Sequence, residues 1–262
     1  LYFGYKGASP ALLGECAKRG VGVSFFRPTG KFLARVVGEN RGNVLLRKAQ
    51  YQMSDNETAS CNVAKYFIVG KIFNSHCVLE RFKRDHGLSV DVTRIMDVSH
   101  NLLLLANQAK ACTNLEELRG IEGQSANLYF GVFNELILQD KDYFKFTTRN
   151  KRPPKDPINA LLSFIYTLLA LDCGSSLEGV GLDSYVGFLH RDRPGRHSLA
   201  LDLMEELRSV YADRFVLTLI NNRIVSKKSF QQQEDGAILL RDSERKNVLQ
   251  AWQEKKKDII TH

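Results

Sequence analysis

The hydrophobic and polar positions of this chain change period near residue 54. Before that point short apolar and β-branched runs alternate with turn residues. After it apolar residues recur every three to four positions. Ser9-Pro10 reads as an N-cap followed by proline at the first helical position, so Ala11 to Arg19 is a short helix stopped by Gly20. Val21 to Phe26 and Phe32 to Val37 are rich in β-branched and aromatic residues. With Pro28-Thr29-Gly30 as the turn they predict a hairpin, and Asn43 to Leu46 a further strand. Beyond the polar run Ser54-Asp55-Asn56-Glu57, the series Val63, Phe67, Gly70/Lys71 and Phe73/Asn74 opens a helix that reaches Asp85, with Gly87 as its stop. Further helices are predicted over Val92–Ala111, over Leu115–Leu138 with Gly120 as a place where it can break, and from Asp156-Pro157 to Leu171. Leu199–Ser209 and Ser243–Lys257 come next, with a short strand at Ala237–Leu240 after the Asp235-Gly236 turn.

This pattern predicts an α+β protein. A small N-terminal β-rich domain, residues 1–53, is joined by a linker, 54–59, to a larger all-α domain, 60–262. The longest apolar stretch, Ile158 to Leu171, carries Asn159, Ser163, Tyr166 and Thr167. It falls short of the about 20 apolar residues that cross a bilayer, so it reads as a core helix with no membrane role. Leu1 to Gly14 lacks the layout of a signal peptide, and a cytoplasmic protein is expected. The five cysteines, Cys16, Cys61, Cys77, Cys112 and Cys173, are odd in number and form no C-x-x-C pair, which excludes a disulfide framework and a cysteine zinc site.

Charge adds a direction. Lys and Arg number 37 against 29 Asp and Glu, a formal net charge of +8, which suits a polyanionic partner such as nucleic acid. No phosphate-binding G-x-x-x-x-G-K-[ST] loop, G-x-S-x-G elbow, H-E-x-x-H or zinc-finger spacing occurs.

Four clusters carry candidate chemistry. Glu122 shares a helical face with Ala126, Tyr129, Phe133 and Leu136, so a carboxylate lies on an apolar stripe and needs a partner. A salt bridge, or an end-of-helix glutamate beside Gly120 and Gly123, would serve as well as a ligand role. His190 comes after the apolar run Gly187-Phe188-Leu189 and opens a loop with Arg191, Arg193 and Arg196. That loop suits a phosphate backbone, although an arginine-rich surface loop can serve solubility alone. Asp202 and Glu205 lie three residues apart in the next helix. Near a helix start they can simply answer the dipole, yet two acids with a nearby histidine also fit Mg²⁺ or Mn²⁺ better than zinc. Finally, Asn159, Ser163 and Tyr166 form a polar stripe on the apolar helix that would line a pocket or satisfy buried backbone, preceded by a basic run with Arg149 and Arg152 that can grip DNA or simply be solvated.

Together these motifs resemble one family. Gly120-Ile121-Glu122-Gly123 with Ala126 and Tyr129, Asp156-Pro157-x-Asn159 with Ser163 and Tyr166, Gly187-Phe188-Leu189-His190, and Ser198 through Arg208 occur in the order of the CRISPR-associated adaptation integrase, CRISPR-associated protein one. The Arg-Asp-Arg-Pro-Gly-Arg loop is similar to subtype C members of type I. The resemblance implies an N-terminal β-rich domain before a helical catalytic domain, with Glu122, His190 and Glu205 as ligands of Mg²⁺ or Mn²⁺ and Asp202 as a supporting catalytic acid. It also implies further strands before Tyr5 and a further helical stretch after His262. The activity implied is endonuclease and integrase chemistry on double-stranded and branched DNA, inserting captured fragments into a CRISPR array by 3′-hydroxyl transesterification. Arg149, Arg152, Arg191, Arg193 and Arg196 would hold the DNA backbone. The implied partners are a second copy of the chain, CRISPR-associated protein two, and a protein-four nuclease. A branched-DNA repair nuclease would use the same residues, and a non-catalytic DNA-binding scaffold would not need the acids.

Overall fold

The structure is a computed structural model, and it describes residues 2–4, 7–27, 32–39, 44–88 and 90–257. A small sheet opens the chain. β1 (Tyr2–Phe3) pairs parallel with β2 (Val23–Phe26), which pairs antiparallel with β3 (Phe32–Val36). The hairpin strands fall where alternation places them, and its Pro28-Thr29-Gly30 turn lies outside the described residues. Between β1 and β2, α1 (Pro10–Lys18) starts on the Ser9 cap, whose hydroxyl accepts from the Leu12 N–H at 3.2 Å. The strand expected at Asn43–Leu46 is not formed. Val44, Leu45 and Leu46 are instead the first turn of α2 (Val44–Ser54), and Asn43 lies outside the described residues.

Asp55 and Asn56 separate α2 from α3 (Glu57–His86), which starts on the Asn56 side chain and stops at Gly87. Its buried stripe is Cys61, Ala64, Ile68, Lys71, Ile72, Ser75 and Leu79, one position off the expected series. Phe73 is exposed. Apolar residues surround this helix almost completely, so spacing alone does not define its inner face. α4 (Thr93–Ala111) packs along α3, and α5 (Leu115–Gly131) crosses both. Gly120 does not break α5. The helix ends at Gly131 and gives way to a 3₁₀ turn, Phe133–Leu136.

α6 (Pro157–Gly179) runs eight residues beyond the expected end at Leu171. By length and composition it could cross a membrane, yet Ile158, Leu161, Leu162, Ile165, Leu168 and Leu169 are buried inside this fold. α7 (Ser198–Leu207) does not end in a loop. A π-helical turn, Arg208–Asp213, carries it into α8 (Arg214–Asn221), which the sequence pattern does not predict. β4 (Phe230–Gln232) and β5 (Ile238–Leu240) make a two-stranded ribbon. α9 (Asp242–Lys255) then docks Trp252 edge-on against Tyr211 and Phe215. Short N-terminal strands before a mainly helical body agree with the expected α+β class.

Two local features set how closely these helices approach and where they begin. A Cβ on Gly70 would come within 2.9 Å of Glu206 Cγ, so glycine lets α7 lie against α3, where Asn74 Nδ2 donates to Glu206 O at 2.9 Å. At the head of α6, Asp156 accepts from the Asn159 N–H at 2.8 Å and from Asn159 Nδ2 at 2.6 Å. Asp156→Ala removes both bonds, and it is expected to lower the unfolding free energy by about 1–2 kcal/mol in urea titrations. An unchanged midpoint would show that the cap contributes nothing.

Candidate active site

Three helices bring the expected acids together on a residue that sequence reasoning did not select. α5 supplies Glu122, α7 supplies Glu205, and α3 sends Lys71 between them. The Lys71 ammonium bonds Glu122 Oε1 and lies 2.7 Å from Glu205 Oε2. Lys71 is only 8% exposed, so its charge requires these partners. Arg208, one turn after Glu205, reaches Glu205 Oε1 at 2.9 Å. Glu205 itself is almost wholly buried. Burial alone would raise its carboxyl, but the nearby charges of Arg208, Lys71 and His190 overcome that and hold it down at about 2. Glu205 Oε2 has no aligned hydrogen-bond donor despite its contact with the ammonium.

The second cluster is a cradle around Asp202. This carboxylate is 0% exposed. Its Oδ2 accepts the backbone N–H of Phe188 at 2.6 Å and of Leu189 at 3.0 Å, and its Oδ1 accepts the N–H of His190 at 3.0 Å. Oδ1 also lies 2.6 Å from His190 Nδ1. Both Asp202 oxygens act as acceptors, so in the short contact Nδ1 is the donor, which leaves Nε2 as the ring nitrogen open to a ligand. Asp202 therefore positions His190, and its own lone pairs are taken up by the loop. Gly187 closes the cradle, since a Cβ there would meet Asp202 Oδ2 at 2.9 Å and His190 O at 2.9 Å. Arg119, one turn before Glu122, ties the same loop to α5 by donating to Leu189 O from Nε and Nη2 at 3.2 and 2.6 Å. From the other side, Gln50 of α2 donates to Asp183 O and Val186 O, both at 2.8 Å.

Among the described residues no three His, Cys, Asp or Glu side chains close into one metal-holding group. What converges is a carboxylate pair around an ammonium, with His190 held separately on Asp202. Glu122, Glu205 and Nε2 of His190 are the atoms that could take a divalent ion, an oxygen-rich set with one imidazole nitrogen that suits Mg²⁺ or Mn²⁺.

The other expected site residues divide. Beside Glu122 a cavity of about 410 Å³ is walled by Lys71, Arg149, Lys151, Arg208, Tyr166 and Asp213, among others. Of the polar stripe on α6 only Tyr166 belongs to that wall. Asn159 is sealed inside, accepting from Arg149 Nη1 at 2.7 Å and donating to Thr148 O at 2.8 Å. Ser163 accepts from Arg149 Nη2 at 3.2 Å. Arg149 thus turns inward, 5.4 Å from the Tyr166 ring centre, while Arg152 and Arg193 are exposed and Arg196 is half-buried. Arg191 is exposed but paired with Glu116 at 2.6 Å. The Tyr166 hydroxyl donates to Asp213 at 2.6 Å. Burial pushes Asp213 up to about 6 against the lowering pull of that hydroxyl and of Arg208.

Lys71, Arg119, Arg208 and Asp213 are site residues that motif and spacing did not single out. Arg208 sits three positions from Glu205, with which it pairs, and Arg119 three positions before Glu122, a helical spacing that could have flagged them. Lys71 was visible as a cation on an apolar stripe, the counterpart of Glu122.

Comparison with known proteins places the chain in a family. The model of the family described as CRISPR associated protein Cas1 matches residues 1–254. The CRISPR-associated endonuclease Cas1 2 of Rhodospirillum rubrum is 48% identical over 264 residues, covering 99% of this chain and 76% of the relative. The CRISPR-associated endonuclease Cas1 1 of Chlorobaculum tepidum is 45% identical over 260 residues, with the same 99% and 76% coverage. A solved casposase bound to integration product superposes with a TM-score of 0.81 at 26% identity, over 95% of this chain and 67% of that one. A chain of a Cas6-RT-Cas1–Cas2 complex superposes at 0.79 with 25% identity, over 100% of this chain and 28% of that one. This chain belongs to the Cas1 family.

If Asp202 is a positioning group, Asp202→Asn should destabilise the protein whether or not metal is added. An amide nitrogen would face backbone donors and leave at least one unpaired, at a cost of about 2–3 kcal/mol in chemical unfolding. Equal stability of the two proteins would refute the cradle.

Proposed function

We propose that the chain is a divalent-metal-dependent DNA endonuclease and integrase of CRISPR adaptation. The observation that carries this reading is the meeting of Glu122 and Glu205 around one buried cation, beside a histidine whose Nδ1 is already taken by Asp202. Two acids from separate helices have no structural need to meet, and their encounter suits a place built for cation exchange. The names of the relatives, endonucleases, and the integration product held by the casposase neighbour support the same reading.

In this reading Glu122, Glu205 and His190 Nε2 hold Mg²⁺ or Mn²⁺, which when bound supplies Lewis acidity toward a phosphate oxygen. The chain's own residues do the rest. Asp202 fixes the imidazole plane and keeps its Nδ1–H in place. Arg208, paired with Glu205 and 5.0 Å from the Tyr166 ring centre, carries positive charge along the cavity wall. With Arg149 and Lys151 it offsets the charge that builds on the phosphate as the new bond forms. In strand transfer a 3′-hydroxyl of the captured fragment attacks the phosphorus and gives its proton to solvent, while the old P–O bond to the array strand breaks and the leaving 3′-oxygen takes a proton from solvent. Water in place of that hydroxyl gives hydrolysis. One phosphodiester replaces another, so no nucleotide triphosphate is consumed.

Arg152, Arg193 and Arg196 would hold the duplex backbone without reading its sequence. A second copy of the chain, Cas2 and a protein-four nuclease are the partners of this reading, and the cytoplasm is its compartment. The Cas6-RT-Cas1–Cas2 assembly among the structural relatives is consistent with the Cas2 pairing.

The test is a strand-transfer assay on a labelled branched DNA that mimics half-site integration, with Mn²⁺. Wild type should resolve the branch. Glu122→Gln and chelated wild type should lose at least about 100-fold in rate, the scale of removing one preorganised electrostatic contact. Equal rates in all samples would reduce the site to a structural ion pair.

A further inference from the structure

Lys71 occupies the place that a divalent ion would need. Its ammonium contacts both Glu122 and Glu205, and the contact to Glu205 Oε2 is 2.7 Å. Mg²⁺ binds carboxylate oxygens at about 2.0–2.1 Å, so an ion on those oxygens and the ammonium cannot be present together. The charges agree: two carboxylates face Lys71 and Arg208, and the site is neutral without a metal. Adding a divalent ion to that set with Lys71 in place would leave two uncompensated positive charges in a largely buried site, which is costly.

The surroundings give Lys71 somewhere to go. It rises from α3 on a flexible four-carbon stem, while its backbone is held in the helix, where its carbonyl also accepts from Ser75 Oγ at 2.9 Å. Its side chain lines the cavity of about 410 Å³ that opens beside Glu122. A change of rotamer would carry the ammonium off the carboxylates and into that cavity, where Asp213 on the same wall offers it an acidic neighbour among Arg149, Lys151 and Arg208. Arg208, by contrast, reaches the far oxygen, Glu205 Oε1, and can keep its bond while Oε2 changes partner.

We propose that Lys71 is a tethered counter-ion of the carboxylate pair: it holds Glu122 and Glu205 together in the metal-free protein, competes with the divalent ion for them, and swings into the adjoining cavity when that ion binds. This role rests on the proposed metal site. The displaced ammonium adds one positive charge to the cavity wall only in the metal-loaded state. Lys71 is thus a positioning residue, and its signature is in metal affinity rather than in turnover.

The experiment measures Mn²⁺ binding to the full chain from the loss of the free-ion electron paramagnetic resonance signal, together with melting curves with and without Mn²⁺. Wild type, Lys71→Met, Lys71→Gln, Lys71→Arg and Glu122→Gln are compared. Lys71→Met and Lys71→Gln should bind Mn²⁺ at least about ten-fold more tightly than wild type, because no tethered cation opposes the ion. Their metal-free forms should melt lower than wild type and gain more from Mn²⁺. Lys71→Arg, which keeps the charge, should bind as weakly as wild type. Gln can still donate to both carboxylates, so it stands in where Met fails to fold. Wild-type or weaker affinity in the neutral variants, with binding abolished by Glu122→Gln, would overturn the counter-ion role and leave the metal reading intact. No Glu122-dependent Mn²⁺ binding in any protein would overturn both.

Discussion

A buried carboxylate and a half-buried one repel unless a cation lies between them, and the packing of three helices answers to that constraint. Glu122 on α5 and Glu205 on α7 are brought together only because Lys71 rises from α3 between them and Arg208 caps the far side of Glu205. The helices must then approach closely, and Gly70 together with the Asn74 bond to Glu206 O makes that approach possible. The depressed carboxyl of Glu205, at about 2, measures the same coupling. Its ordinary value is 4.5, so this group's contribution to stability is present in full above that pH. It fades as pH falls from 4.5 through about 2. Asp213 works in the opposite sense. Raised to about 6 from 3.8, it favours the fold most at low pH, and that contribution is lost as pH rises through this range.

The histidine is set by a separate clamp. Asp202 spends its oxygens on three successive backbone N–H groups and on Nδ1 of His190, so loop and ring are fixed by one residue. Arg119 from α5 and Gln50 from α2 hold the flanking chain. An N-terminal helix thereby helps to place a catalytic-site loop that begins more than a hundred residues later. The two clusters also divide the labour between themselves. One sets two carboxylates around the Lys71 ammonium. The other presents a nitrogen whose direction cannot change.

Much of this was legible in the residues, for identifiable reasons. Asp156 and Ser9 cap helices through local bonds, and local bonds are what sequence reading detects best. Glu122 drew notice as a carboxylate on a greasy stripe, and Glu205 for its helical spacing from Asp202. The misreadings share a cause, namely that a neighbour in space decided the outcome. Val44, Leu45 and Leu46 look like a strand, yet they open a helix whose Gln50 and Tyr51 bond the backbone and side chain of Asp183, far along the chain. Arg149 sits in a basic run that reads as a surface grip on DNA, and Asn159, Ser163 and the Tyr166 face instead hold it at the wall of the cavity beside Glu122. The π-helical turn that links α7 to α8 shifts the helical register between them, so the period of α7 does not carry on into α8.

Whether the Glu122–Glu205 pair is a cation-exchange site is tested most directly by diffraction from Mn²⁺-soaked crystals, recorded at a wavelength where manganese scatters anomalously. One anomalous peak is expected between the two carboxylates, within coordinating distance of His190 Nε2, with the Lys71 ammonium turned into the cavity beside it. A Lys71 still bridging the carboxylates, with manganese absent from them or bound elsewhere, would contradict cation exchange at this pair.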